Sequence, residues 1–340
     1  MSKLSFATVL FVIAFMLPAF ITIGKGTPAP SVSFTASNQL KYWSLNVKNN
    51  MPPAILSKLS PLNEDDSEFF TSLVSKQSFQ SNSKFCSLAN LACYSELDSI
   101  KPLSRAYGYI NDPSFFVQKV DPFSFFRMSV LRQGNRVHLS NLGDQFPQRA
   151  FLPSQIASKI SLVENNLQKI FPQSFINPNT KGNIETTLLY CNAVALKGEI
   201  KSCPKSLEDM IEFSKTTLGT KKLVALTSKS TKGSGEMLTI GNIKQLNAKR
   251  VVSCHEVYLP FATYFCHMVS STQLYAVDVV KPETKVPVNT VLAICHMDTS
   301  SWPTNHPAFE ILKATPGKGE ACHWITKTGL LWVGTGERLV

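Results

Sequence analysis

Four copies of one dipeptide stand in the stretches CHEVYLPFATYFCH (254–267), AICHMD (293–298) and ACHWITKTGLLW (321–332). In each copy a histidine directly follows a cysteine. The copies are Cys254-His255, Cys266-His267, Cys295-His296 and Cys322-His323. They are separated by 10, 27 and 25 residues, and Trp332 follows the last after 8 more. The chain has 6 histidines in all, and four of them follow a cysteine, so the repeat indicates a shared physical role.

The residues around the dipeptides predict β-strands. VLAIC (291–295) and LLWV (330–333) are short and rich in β-branched or aromatic residues, as strands are. Successive side chains of a strand point to opposite faces. Each dipeptide would therefore direct its sulfur to one face of a sheet and its imidazole to the other. This predicts four sulfurs in one layer and up to four imidazoles in another.

The four histidines have two possible roles, metal ligands or buried structural groups. Their spacing is unlike that of a zinc site, in which paired ligands are about two to four residues apart. A single histidine is more often hydrogen-bonded to the backbone than bound to a metal, but four in register favour a common site. His267 and His296 also lie in apolar runs, where an unpartnered imidazole is costly.

The pattern CH-x10-CH-x27-CH-x25-CH-x8-W resembles the signature of the plant BURP domain at all nine positions. FLP (151–153) and DTS (298–300) resemble the same family, and the resemblance covers about residues 125–335. Toward the amino terminus, YW (42–43) and FCSLANLAC (85–93) resemble one subfamily, the non-catalytic β-subunit of polygalacturonase. That subfamily carries a long array of aromatic repeats, which is missing here.

The resemblance implies two alternative functions. Some BURP proteins are copper-dependent cyclases that join a Tyr or Trp side chain to a carbon of a peptide. The copper ligands would be His255, His267, His296 and His323. Asp298 could orient one of these imidazoles by accepting a hydrogen bond from the ring nitrogen that does not bind copper. Such enzymes usually carry a repeated core peptide, whereas this chain has the single segment RAYGYI (105–110), so we favour the non-catalytic alternative.

The first residues are typical of a secretion signal. Lys3 precedes an apolar run over residues 6–23, which Pro18 interrupts. A membrane anchor is the alternative, but the run barely reaches the roughly 20 residues that a spanning helix needs. We predict a signal peptide over residues 1–26 and a mature protein secreted to the apoplast or cell wall, with no membrane association.

Secretion also bears on the state of the 8 cysteines. An oxidising compartment favours disulfides over thiolate metal sites. Spacing alone does not fix the pairing, but it divides the cysteines into three groups. These are Cys86 with Cys93, Cys191 with Cys203, and the motif cysteines Cys254, Cys266, Cys295 and Cys322 among themselves.

Helical patterns precede strand patterns, which predicts an α+β fold. Helices are expected after residue 60, over residues 156–170, and after Ser206, where Asp209 completes a capping box and Gly219 ends the helix. From residue 223 onward short β-rich segments predict strands, FEILKA (309–314) among them. The predicted divisions are the signal peptide, an amino-terminal segment (38–97), a linker (98–124) and a BURP domain (125–340).

The charge of the chain is +11, or about +9 without Lys3 and Lys25 of the signal peptide. A basic secreted protein would be attracted to the carboxylates of pectin, although lysine and arginine also simply keep surfaces solvated. No basic helix or aromatic–basic patch indicates nucleic-acid binding. No Ser-His-Asp order, carboxylate pair or phosphate loop supports a hydrolase or transferase. We predict a non-catalytic wall protein that binds pectin or a wall enzyme such as polygalacturonase.

Overall fold

The structure, a computed structural model, describes residues 35–76, 84–93, 123–144 and 146–336. The predicted signal peptide and most of the predicted linker, including RAYGYI (105–110), lie outside the described residues. These described residues belong to one compact unit. The domain boundaries given above stay predictions.

The described residues contain both helices and strands, with most helices before most strands. The helices are α1 (Ala36–Asn46), α2 (Pro53–Leu56), α3 (Glu64–Ser75), α4 (Lys84–Leu88), α5 (Ser154–Ala157), α6 (Glu164–Ile170), α7 (Pro178–Asn192), α8 (Leu207–Leu218) and α9 (Pro307–Leu312). The strands are β1 (Arg136–His138), β2 (Glu199–Ser202), β3 (Leu223–Leu226), β4 (Met237–Leu246), β5 (Val252–Tyr258), β6 (Ala262–Val269), β7 (Thr272–Val280), β8 (Pro287–His296), β9 (Ala321–Trp324) and β10 (Leu330–Gly334). The predicted mixture of helix and sheet is confirmed.

The strands form two five-stranded antiparallel sheets. Sheet A has the order β2-β6-β5-β10-β3, and sheet B has the order β1-β4-β7-β8-β9. The two sheets face each other, because one buried apolar cluster draws on both of them. Its members include Leu331 and Val333 of β10, Leu274 of β7, and Leu292 and Ile294 of β8. The alternate residues of the same strands point outward to other partners.

Helices cover the outer face of sheet A. Met210 and Ile211 of α8 pack against Trp332 of β10 and Val252 of β5. Trp43 of α1 lies in the same cluster, with its ring centre 5.5 Å from that of Trp332. The motif tryptophan is therefore fully buried against the amino-terminal segment, and its role is packing.

Local capping decides where several elements begin and end. Ser206 Oγ accepts a hydrogen bond from the Asp209 backbone N–H, and Gly219 ends α8 with a φ of 64°. These features confirm the predicted start and end of that helix. Helix α9 (Pro307–Leu312) overlaps the FEILKA segment (309–314), so the prediction of a strand there is wrong. Pro307 stands at the first turn, and His306 Nδ1 accepts from the Ala308 N–H, which starts a helix.

The helix predicted over residues 156–170 is two helices, α5 and α6. Between them the side chain of Asn166 accepts a hydrogen bond from the Ser161 N–H. Such a local side-chain bond competes with the helical pattern. Val163 is extended and 54% exposed, so it does not continue a buried helical face from α5 to α6.

Buried charges join the amino-terminal segment to sheet A. Lys58 Nζ lies 2.9 Å from Glu256 Oε1 and 3.4 Å from Asp144 Oδ2. The Arg149 guanidinium lies 3.0 Å from the same Glu256 oxygen. Lys58 and Arg149 are both fully buried, so each depends on these partners for its charge to be tolerated.

None of the helices in the described parts of the chain is both long and apolar enough to cross a bilayer.

Candidate metal centre between the sheets

The four histidines of the repeats meet between the two sheets. His255 of β5 and His267 of β6 come from sheet A, while His296 of β8 and His323 of β9 come from sheet B. Each follows a cysteine that points to the opposite face of its strand. Two strands from each sheet thus supply one imidazole apiece.

The cysteines of the repeats form one disulfide in each sheet. Cys254 stands opposite Cys266 and is bonded to it, and Cys295 stands opposite Cys322 in the same manner. The first bridge lies in the apolar cluster beneath α8, and the second lies in the outer cluster of sheet B. The sulfurs therefore occupy two layers, not the single layer predicted, because the dipeptides are divided between two sheets.

The other two disulfides lie outside the repeats. They join Cys86 to Cys93 and Cys191 to Cys203, the groupings expected from spacing. Among the described cysteines none is free. The predicted use of cysteine for disulfides is confirmed.

The four imidazoles form a closed ring of neighbours. Around this ring the centres of adjacent imidazoles are 5.5 Å (His255 and His267), 5.9 Å (His267 and His296), 5.7 Å (His296 and His323) and 5.3 Å (His323 and His255) apart. His255, His267 and His296 are buried, and His323 is partly buried. The sequence repeat thus brings all four residues to one place.

His267 is positioned by a carboxylate. Its Nδ1–H donates to Glu199 Oε1 of β2 at 3.0 Å, and Glu199 is itself buried. The bond leaves the His267 Nε2 atom, which is also buried, without a hydrogen-bond partner among the described residues. An unpartnered buried nitrogen is costly, and a ligand at this position would satisfy it.

Each of the remaining three rings also has one nitrogen within hydrogen-bond distance of a polar atom. Their contacts are His296 Nδ1 to Thr272 Oγ1 at 3.1 Å, His323 Nδ1 to the Trp324 carbonyl at 3.2 Å, and His255 Nε2 to Ser253 Oγ at 2.9 Å. Because one nitrogen of each ring has a fixed partner, the orientation of every ring is fixed.

Burial and mutual proximity keep three of these imidazoles, those of His255, His296 and His323, neutral. Burial lowers the pKa of His255 and of His296 well below the usual range, and the neighbouring rings lower it further. Burial also lowers the pKa of His323 to about 4. A charged imidazole is disfavoured in such a site, so the lone pairs are available at neutral pH.

The donor set fits a metal ion, but the rings stand slightly apart. Imidazoles that share one ion have centres about 5 Å apart, since each nitrogen lies about 2 Å from the ion. The separations here are 5.3–5.9 Å. In the part of the chain that is described, no group of three or more His, Cys, Asp or Glu side chains is already placed to hold a metal. Binding would require the rings to move inward by a few tenths of an ångström.

Residues that the sequence did not assign to the site surround it. Trp302 lies 5.4 Å from His296 and 4.2 Å from His306, measured between ring centres. Phe125 lies 6.0 Å from His323. Burial and the nearby histidines lower the pKa of His306 to about 3. In the sequence, only its closeness to Trp302 could have indicated that His306 belongs to the site, since no cysteine precedes it.

Asp298 does not take the position predicted for it. Its carboxylate is exposed and accepts a hydrogen bond from the Ser300 N–H at 2.9 Å. The residue follows His296 closely in sequence, but the chain has already left β8 and turned outward. The carboxylate that orients an imidazole is Glu199, which lies 68 residues before His267.

The fold and the site together define a domain of two facing antiparallel sheets, each with a disulfide beside two inward histidines. The BURP domain model matches residues 124–334, and the chain belongs to this family. It is 38% identical over 219 residues to the polygalacturonase-1 non-catalytic subunit beta of Solanum lycopersicum, covering 63% of this chain and 34% of that protein. It is 37% identical over 218 residues to polygalacturonase 1 beta-like protein 1 of Arabidopsis thaliana, covering 63% and 35%.

A further relative is similar over more of its length. BURP domain-containing protein 16 of Oryza sativa subsp. japonica is 32% identical over 311 residues, which is 86% of this chain and 88% of that protein. The matches to the polygalacturonase-related proteins, in contrast, span about a third of their length.

Proposed function

We propose that this chain is a secreted, non-catalytic protein of the plant cell wall that binds a polygalacturonase-type enzyme or its pectin substrate. The observation that carries the proposal is the 38% identity to a protein named as a non-catalytic subunit of polygalacturonase. That match covers 219 residues of this chain, and the BURP domain that carries the histidines spans residues 124–334. Four disulfides agree with an oxidising extracellular compartment.

A binding experiment tests this proposal. The full chain, purified from secreted material, would be mixed with a plant polygalacturonase and separated by size exclusion, and it would also be passed over immobilised pectin. We expect co-elution with the enzyme or salt-sensitive retention on pectin, and no release of sugar by the chain alone. The reduced and alkylated chain is the control. Failure to bind either partner would overturn the proposal, as would hydrolysis of pectin by the chain.

The histidine ring favours a second candidate, a copper-dependent peptide cyclase. Imidazoles suit copper, which heads the affinity order of the divalent metals. His255, His267, His296 and His323 would hold the ion, which would supply oxidative one-electron chemistry. Burial of the rings excludes water, and the Glu199 carboxylate keeps the Nδ1 proton on His267 so that Nε2 is free to bind.

Copper analysis and peptide mapping together separate the two candidate functions. His296→Ala should lower the copper bound per chain, while His138→Ala, which replaces a histidine outside the ring, should not. Tryptic mapping after incubation with copper and oxygen would then examine residues 106–119. A peptide two hydrogen masses light, with Tyr107 or Tyr109 cross-linked, would establish the cyclase. Unchanged copper binding after replacement of all four ring histidines would exclude a metal role for them.

A further inference from the structure

Three segments of the chain bring five basic residues to one end of sheet A. Lys221 and Lys222 directly precede β3, Lys249 and Arg250 precede β5, and Lys48 lies beside the start of β3. β10 runs between β3 and β5 in the opposite direction and ends at the same place. We call this group of five residues the basic strand end.

Backbone pairing fixes the relative positions of these segments. Leu223 stands opposite Gly334, and the Thr335 N–H donates to the Lys222 carbonyl at 3.2 Å. On the other side of β10, Trp332 stands opposite Val252. Since β3 and β5 are both neighbours of β10, their starts lie two strand spacings, or about 10 Å, apart.

Lys48 extends the same edge of the sheet. Its backbone N–H donates to the Leu223 carbonyl at 2.8 Å, and Val47 pairs with Leu223 as an isolated parallel bridge. The amino-terminal segment thereby adds one bridging residue to the outer edge of β3. The positive charges consequently stand side by side across several adjacent backbones and do not converge on one point.

The side chains at the basic strand end are open to solvent. All five side chains are exposed, and no carboxylate among the described residues forms an ion pair with Lys48, Lys221, Lys222 or Arg250. The Arg250 side chain contacts Met268 Sδ at 3.4 Å. Exposed cations of sheet B do have partners, since Arg136 pairs with Glu283 and Lys281 with Glu236.

A row of solvated cations suits a linear polyanion. Each exposed pair contributes little alone, but several cations of one sign together concentrate an oppositely charged ligand at the surface. Four of the five residues are lysines, which are depleted in protein–protein interfaces. A polymer that carries a carboxylate on each sugar can place one charge near each strand end without either partner losing its hydration.

We propose that the basic strand end is the surface at which this protein binds a linear uronate polysaccharide. The inference rests on the proposed function, in the alternative in which the chain binds pectin. It specifies the surface that would contact the polymer. Lys221, Lys222 and Arg250 supply the central contacts, and Lys48 and Lys249 extend them along the polymer.

The test compares two triple variants with equal loss of charge. The first, Lys221→Gln/Lys222→Gln/Arg250→Gln, neutralises the centre of the basic strand end. The second, Lys229→Gln/Lys232→Gln/Lys327→Gln, removes three exposed lysines that follow β3 or precede β10, at the opposite end of the same strands. Binding of the full chain to de-esterified polygalacturonate would be measured at fixed ionic strength, with circular dichroism to confirm folding. Fully methyl-esterified pectin and poly-glutamate are the comparison ligands.

We expect the first variant to lose about tenfold in affinity for polygalacturonate and the second to change less than about twofold. Binding should also be lost on methyl esterification. Equal weakening in both variants would overturn the location of the surface while leaving pectin binding, and so the proposed function, intact. Absence of binding by the unmodified chain would overturn this inference together with the pectin form of the proposed function. Equally tight binding of poly-glutamate at the same residues would overturn the assignment to a polysaccharide.

Discussion

Glu208 is a carboxylate that the fold buries without adequate compensation, and its replacement should change the pH dependence of stability. It lies in the first turn of α8 and is 4% exposed. Both of its carboxylate oxygens and the facing Gln39 Nε2 lack a hydrogen-bond partner among the described residues. Burial raises the pKa of Glu208 from its ordinary 4.5 to about 7, and the backbone N–H of Glu208 itself, Gln39 and Ser206 offset only part of this change.

The direction of the effect follows from the two protonation states. Between pH 4.5 and 7 the folded chain holds a proton at Glu208 that the unfolded chain has released. The stability contributed is therefore complete below the unfolded pKa and is lost as pH rises through the folded pKa. The shift corresponds to about 2–3 kcal/mol of unfolding free energy between pH 5 and pH 8.

Glu208→Gln is neutral at every pH and should remove this contribution. The unfolding free energies of the parent and of the variant should both be measured at pH 5 and at pH 8. We expect the fall between these pH values to be about 2–3 kcal/mol larger in the parent than in the variant. Urea denaturation followed by tryptophan fluorescence at four pH values measures the difference. The control is Glu212→Gln, one turn further along α8. Burial there is outweighed by hydrogen bonds from Tyr42 and Lys215, which hold the pKa of Glu212 below its usual value. An identical pH profile for Glu208→Gln and the parent would refute the reasoning.

Three further predictions concern stability. Trp43→Ala should lower the free energy of unfolding by about 3–5 kcal/mol, because it leaves a cavity against the motif tryptophan; a loss below about 1 kcal/mol in urea denaturation would contradict that packing role. Lys58→Ala and Lys58→Met both remove the cation beside the buried Glu256 carboxylate, and each should cost about 3–5 kcal/mol; a much smaller loss for Lys58→Met, which keeps most of the side-chain packing, would argue against a charge effect. Cys295→Ser/Cys322→Ser should cost about 2–4 kcal/mol, and an unchanged melting temperature would show that the bridge constrains little.

Much of the fold could be predicted because its local signals agree with its tertiary structure. The strands around the dipeptides alternate as their sequences indicate, and Ser206 and Gly219 mark the ends of α8. The long helix α7 went unpredicted because its buried face mixes apolar residues with polar ones such as Asn183 and Thr187. The turn at Pro307 overrode the β-like composition of FEILKA. In both cases an apolar pattern was a poorer guide than the residue that caps the helix.

The candidate site could be predicted only in part, because half of its geometry comes from chain topology. The repeat identified the four histidines, but it could not show that two belong to each sheet. Glu199 is remote in sequence from the imidazole that it holds, so proximity in sequence favoured Asp298 instead. A residue that orients a ligand from another strand leaves no local signal.

The adjacency of cysteine and histidine gives the dipeptide its structural meaning. Each disulfide joins two residues that stand directly opposite each other, one pair in each sheet. A slip of one residue in either pairing would turn the imidazole of the slipped strand from the interior to the outer face. The bridge opposes that slip covalently, and the next side chain along the strand is held on the inner face as a consequence. Two such bridges, one in each sheet, maintain a buried histidine ring that no single sheet could assemble. This coupling explains why the dipeptide, and not the histidine alone, is the unit that the sequence repeats.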